Sequence, residues 1–131
     1  MIAFLLAQIA KLKAAVSNLV DSYGETDLLA TTAASDFATY ETPTGKKFGD
    51  DYKYICVDPV NSSGSTSNNI WTFPFEVFAN HNTNSNLMNL YIDTTHYIRL
   101  KYIDSSHFAA DVIKSGSSSQ EDYTAKIYGV K

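Results

Sequence analysis

Ile2, Leu5, Ile9, Leu12, Val16, Leu19 and Tyr23 recur at alternating steps of three and four through the first 23 residues. This is the a/d seam of a heptad repeat, and it predicts a helix whose apolar stripe needs a partner. No Gly or Pro interrupts residues 1–22, and Gly24 stands where helices commonly stop. Three heptads form a rod of roughly 33 Å and are marginal in isolation. Ile and Val at a with Leu at d favour a dimer. Leu6 and Val20 at e and Ala15 at g widen the stripe, which suits a three-helix bundle or packing on another protein. Phe4 at c falls outside the seam and points to a further contact at the N-terminal end. The competing reading is a helix laid on the chain's own sheet. The unbroken 3.5-residue period and the terminal position favour self-association or docking.

Beyond residue 48 the period becomes two. Strand-like runs cover residues 51–57, 70–79, 87–92, 97–103, 108–114 and 123–130, separated by polar loops at 61–69, 80–86 and 115–122. Trp71, Phe73, Phe75, Val77 and Ala79 alternate with other residues and predict an inward face. Pro74 cannot donate to a ladder, so its run belongs at an edge or a bulge. An aromatic before this proline makes the Phe73–Pro74 bond a candidate for cis. Residues 24–47 have no clean period and carry the turn sequence Thr42-Pro43-Thr44-Gly45, so they read as a connector partly packed on the rest. The expected fold is mainly β: an oligomerising or anchoring coiled-coil helix (1–23), the connector (24–47), and an antiparallel β-sandwich or jelly-roll-like domain (48–131).

Composition narrows the functions. Of 131 residues, 44% are hydrophobic and only 18% charged, which fits a folded chain with part of its surface covered by a partner. A net charge of -4 with no basic cluster argues against nucleic acid as a partner. The apolar stretch at 1–10 is broken by Lys11 and Lys13, well short of the roughly 20 residues a bilayer span requires, and reads as part of the mature protein. Cys56 is the single cysteine, so neither an intrachain disulfide nor a Cys-based zinc site can form, and its run Tyr54-Ile55-Cys56-Val57 reads as core. His81, His96 and His107 lack metal-ligand spacing, and no nucleophile elbow, P-loop or dinucleotide fingerprint is present. No catalytic residue, metal or cofactor is assigned. Tyr91, Tyr97, Tyr102, Tyr123 and Tyr128 cannot all be buried in alternating strands. Tyr91, Tyr97 and Tyr123 are the candidate ligand surface, since tyrosine beside Asn- and Ser-rich loops suits adaptable recognition; the plainer reading is tyrosine capping sheet edges.

The run Phe4-Leu5-Leu6-Ala7-Gln8-Ile9-Ala10-Lys11-Leu12-Lys13-Ala14-Ala15-Val16, followed by a Ser/Thr/Asn-rich β-segment, resembles small fibre and appendage proteins of tailed-bacteriophage virions, such as head fibres or decoration proteins. The resemblance lies in overall organisation. It implies a homotrimer in the virion, held by a capsid or tail protein at the N-terminal end and exposing β-domains to solvent or host surface glycans. The alternatives are a carbohydrate-binding or surface-adhesion module tethered by its helix at the extracellular surface, and a small hydrolase. Convergent His and carboxylates in a pocket would mark the last.

Overall fold

The computed structural model describes residues 2–24, 26–33, 37–61, 69–115 and 122–131. A long helix, α1 (Ile2–Gly24), leads after one residue into β1 (Thr26–Ala33). There follow β2 (Ala38–Glu41), β3 (Tyr54–Asn61), β4 (Trp71–Pro74), a one-turn helix α2 (Phe75–Ala79), β5 (Met88–Tyr91), β6 (His96–Asp104), β7 (His107–Lys114) and β8 (Tyr123–Val130). The strands form two antiparallel sheets, in the orders β1-β8-β3-β4 and β2-β7-β6-β5.

Alternation decides which side chains meet. Ile55 and Val57 of β3 and Ala125 and Ile127 of β8 turn one way from the first sheet. Ile98 and Leu100 of β6 and Phe108, Ala110 and Val112 of β7 turn inward from the second, and all join one apolar cluster. Thr32 is buried between the sheets, and its hydroxyl donates to the Ala110 carbonyl at 3.2 Å, satisfying a polar group that would otherwise be costly there.

The segment joining β2 to β3 closes one end of this core. Gly45 has φ +82°, as the second central residue of a turn closed by Lys46 N–H on the Pro43 carbonyl at 3.0 Å. The chain then drops Phe48 and Tyr52 into the core, where both are buried. Gly129 of β8 lies against the Tyr52 ring: a Cβ there would sit 2.5 Å from Cδ1, so only glycine lets this ring approach the strand.

Three expectations change. Residues 24–47, read as a connector, supply both β1 and β2. Their pattern was obscured because a bulge between Leu28 and Ala30 turns Leu29 and Ala30 inward in succession. The run 70–79 is not one strand. It pairs with β3 only as far as Pro74 and then coils into α2, burying Phe78. Pro74 lies on β4, an edge strand, as its missing donor requires, and its peptide bond is trans. Cys56, read as a core residue, is half-buried on the outer face, because β3 begins at Tyr54 and its inward positions are Ile55 and Val57.

Candidate interaction surfaces

In α1 the seam faces solvent wherever its side chains are described. Ile2, Leu5, Ile9 and Leu12, together with Phe4 and Leu6 beside them, are 45–77% exposed. Residues 2–13 therefore do not lie on the chain's own sheets. Val16 and Leu19 belong to the same helix, and their side chains lie outside the described residues. Five large aliphatics and a phenylalanine within residues 2–13 of one helix are far more than scattered surface apolar residues. No described helix is long and apolar enough to cross a membrane.

A second apolar surface lies on the outer face of the first sheet. Register places Cys56 between Tyr128 of β8 and Thr72 of β4. These three, with Asp58, Val130 and Ile70, line an open groove of about 410 Å³ whose wall is mostly apolar. Leu28, Tyr54 and Ile70 are exposed. The Asp58 Oδ1 atom is buried and has no hydrogen-bond partner, an exception to the usual pairing of buried polar atoms.

The outer face of the second sheet is built differently. Arg99 of β6 donates to the neighbouring Asp111 of β7 through Nε at 2.8 Å and Nη2 at 2.5 Å. Its guanidinium also lies 4.9 Å from the centroid of the Phe37 ring. Asp111 is wholly buried although its strand position faces outward, and Arg99 bridges it to Phe37. The bond to Asp111 is the main reason the Arg99 proton is held more tightly than usual. Next along the sheet, Tyr91 and Tyr97 pair in register with ring centroids 5.0 Å apart, and Asn89 stands opposite Arg99. Tyr91 is 60% exposed.

The structure thus brings together two of the three candidate ligand tyrosines. Tyr123 points to the core side, where its ring meets the buried His96 edge-on at 5.1 Å. His96 is fixed by the turn before β6. Asp93 Oδ1 accepts from the Thr95 and His96 backbone N–H groups at 2.8 and 2.7 Å, and His96 Nδ1 lies 3.0 Å from both carboxylate oxygens. Burial pushes the Asp93 carboxyl up, but these bonds outweigh it and hold it below the usual range. His107 opens β7, half-exposed, with Nδ1 2.8 Å from Asp104 Oδ1. Among the described residues no three His, Cys, Asp or Glu side chains converge as metal ligands would.

At the closed end of the core, Asp27 accepts from Lys46 Nζ and from the Tyr52 hydroxyl, each at 2.6 Å. The bond from Lys46, then that from Tyr52, lowers the Asp27 carboxyl below its ordinary value. Burial, then the bond to Asp27, pushes the Tyr52 phenol well up. The two shifts act at opposite ends of the pH scale. Stability from Asp27 is present above the ordinary carboxylate range near pH 4 and is lost as pH falls through its lowered value. Stability from Tyr52 is complete below about pH 10 and declines as pH rises beyond it. Asp27→Asn is expected to flatten the acid limb and Tyr52→Phe the alkaline limb of the melting temperature against pH. Unchanged limbs would refute the pairing.

Comparison with protein-family models finds no match to the chain, and comparisons with curated proteins and with solved structures find none either. The surfaces themselves therefore carry the functional argument. Sequence reasoning singled out the helix seam and Tyr91, Tyr97 and Tyr123, but it missed the groove and the Arg99–Asp111–Phe37 stack. The opposed charges 12 residues apart on adjacent strands were the one available signal.

Proposed function

We propose that the protein is a self-assembling structural component in which α1 joins copies, three in the expected assembly, and displays compact β-sandwich domains. A fibre or capsid decoration of a phage virion, held by its N-terminal end on a capsid or tail protein, is the setting that fits this reading. The observation that carries it is the exposed stripe of Ile2, Leu5, Leu6, Ile9 and Leu12 along residues 2–13 of α1, which the chain's own sheets leave uncovered. Leaving that much apolar surface in water costs about 25 cal/mol per Å², so association is the economical outcome. Absolute mass by light scattering tests it. The intact chain is expected at three times the mass of one chain, and the triple substitution Leu5→Glu, Ile9→Glu, Leu12→Glu at one. A monomeric intact chain would sink the proposal.

An adhesive role is favoured by one further observation, the exposed Tyr91 paired with the half-buried Tyr97 beside Asn89 and Arg99. Aromatic faces stack on sugar rings, while amide and guanidinium groups bond to hydroxyls. On a glycan array the intact protein is expected to retain a subset of host-surface sugars, and Tyr91→Ala to lose at least tenfold in signal. Equal signals from both proteins would remove the tyrosine pair from consideration.

A further inference from the structure

We propose that residues 2–13 of α1 of one copy lie in the groove on the outer face of a neighbouring copy's first sheet. The inference rests on the reading of α1 as the assembly element, and it specifies what that element touches.

Four observations converge. The first is that one chain carries two uncovered apolar surfaces, the long helix stripe and the smaller groove of exposed Ile70 with half-buried Cys56, Tyr128 and Val130. Two such surfaces of opposite shape, one convex and one open, bury each other when copies meet. The second is breadth. Leu6 falls beside the seam, so a two-helix contact leaves it wet, whereas a sheet face, like a bundle of three helices, covers a wide stripe.

The third observation is length. The groove takes Cys56 and Asp58 from β3, and the outer face of that strand continues on both sides of it from Tyr54 to Val60, roughly 20 Å at about 3.3 Å per residue. Residues 2–13 span roughly 18 Å of helix at 1.5 Å per residue. The fourth is charge. Lys11 and Lys13 are the only charged residues among positions 2–13. Lys13 borders the stripe at the e position. The groove contains Asp58, whose buried oxygen lacks a hydrogen-bond partner. A lysine arriving with the helix supplies the missing donor.

The receiving sheet belongs to another copy because of the linkage. A single residue separates Gly24 at the end of α1 from Thr26 at the start of β1. Thr26 itself lies at the mouth of the groove. To occupy its own groove, the helix would have to reverse direction within that one residue, whereas helix-to-strand turns generally take two to six. A neighbour's groove imposes no such reversal. The contact is heterologous, helix of one copy to sheet of the next, and it closes into a ring under three-fold rotation.

The native Cys56 makes the test direct. Ile9→Cys in the full chain introduces a second thiol on the exposed stripe, and mild oxidation followed by peptide mapping reads which thiols join. The expected product is an intermolecular disulfide between position 9 and Cys56, giving covalent oligomers that Cys56→Ser abolishes. Disulfides joining position 9 to position 9 would show helices pairing with one another. That result overturns this inference and leaves α1 as the assembly element. A disulfide between position 9 and Cys56 within one chain would also overturn it. A monomer in light scattering with no cross-link would sink both readings. As a second measurement, Ile70→Lys places a charge in the groove without touching the helix. It is expected to raise the concentration at which copies dissociate at least tenfold, and an unchanged dissociation concentration would overturn the inference.

Discussion

Phe48→Ala is expected to cost about 3–5 kcal/mol of unfolding free energy, the usual range for emptying a buried aromatic site. Phe48 is buried, and its ring lies 5.7–6.2 Å from those of Tyr52, Phe75, Phe78, Tyr102 and Phe108. Such ring pairs contribute about 0.5–1.5 kcal/mol each beyond the area they bury, and not additively. These partners come from α2 (Phe75, Phe78), β6 (Tyr102), β7 (Phe108) and the segment before β3 (Tyr52), so one ring ties four parts of the chain together. The Phe48 N–H donates to the Ser105 carbonyl at 2.8 Å, which holds the backbone in place and keeps the neighbours from closing over a cavity. Domains of this size have about 5–15 kcal/mol in total, so the loss removes a large share of the margin. Urea denaturation measures it, with Phe48→Leu as the control that restores most of the volume. A loss below about 1 kcal/mol would mean that the cluster collapses around the gap, contrary to the packing described.

Arg99→Met is expected to be of similar size for a different reason. Asp111 is wholly buried, and the Arg99 guanidinium is its ion-pair partner. Removing one member of a buried pair strands the other, at about 3–5 kcal/mol. The loss is expected to be asymmetric. Asp111→Ala leaves Arg99, whose side chain is 30% exposed and can turn to water, so its cost is smaller. The double substitution Arg99→Met, Asp111→Leu is expected to recover most of the loss, because no buried charge then remains. A double-mutant cycle in urea reads the coupling directly. Additive losses would show that the arginine contributes through its contact with Phe37 and not through its charge pairing with Asp111.

Assembly and stability are coupled through the same sheets. The first sheet carries core residues on one face and the groove on the other, so β3 and β8 serve both the fold and the proposed contact. Substitutions at outward positions such as Ile70 are therefore expected to change association with little effect on the core, while inward substitutions at Ile55 or Ile127 would disturb both.

What the sequence determined by itself is what depends on local period. The helix at Ile2–Gly24, its apolar stripe, the later strands, the Gly45 turn and the edge position of Pro74 follow from spacing, φ preference and a missing donor. These are properties of a few consecutive residues, legible wherever the alternation is clean. Tertiary structure decided the rest. Strands β1 and β2 exist because β8 and β7 pair with them, and a bulge in β1 hid its period. The phase of β3, which puts Cys56 outward, was set by where pairing with β4 and β8 begins. The separation of Tyr123 from Tyr91 and Tyr97 followed from which sheet each strand joined. The groove arises from neighbours distant in sequence, which strand order brings together and no local pattern encodes, and the Arg99–Asp111 pair depends on the register of the β6–β7 hairpin.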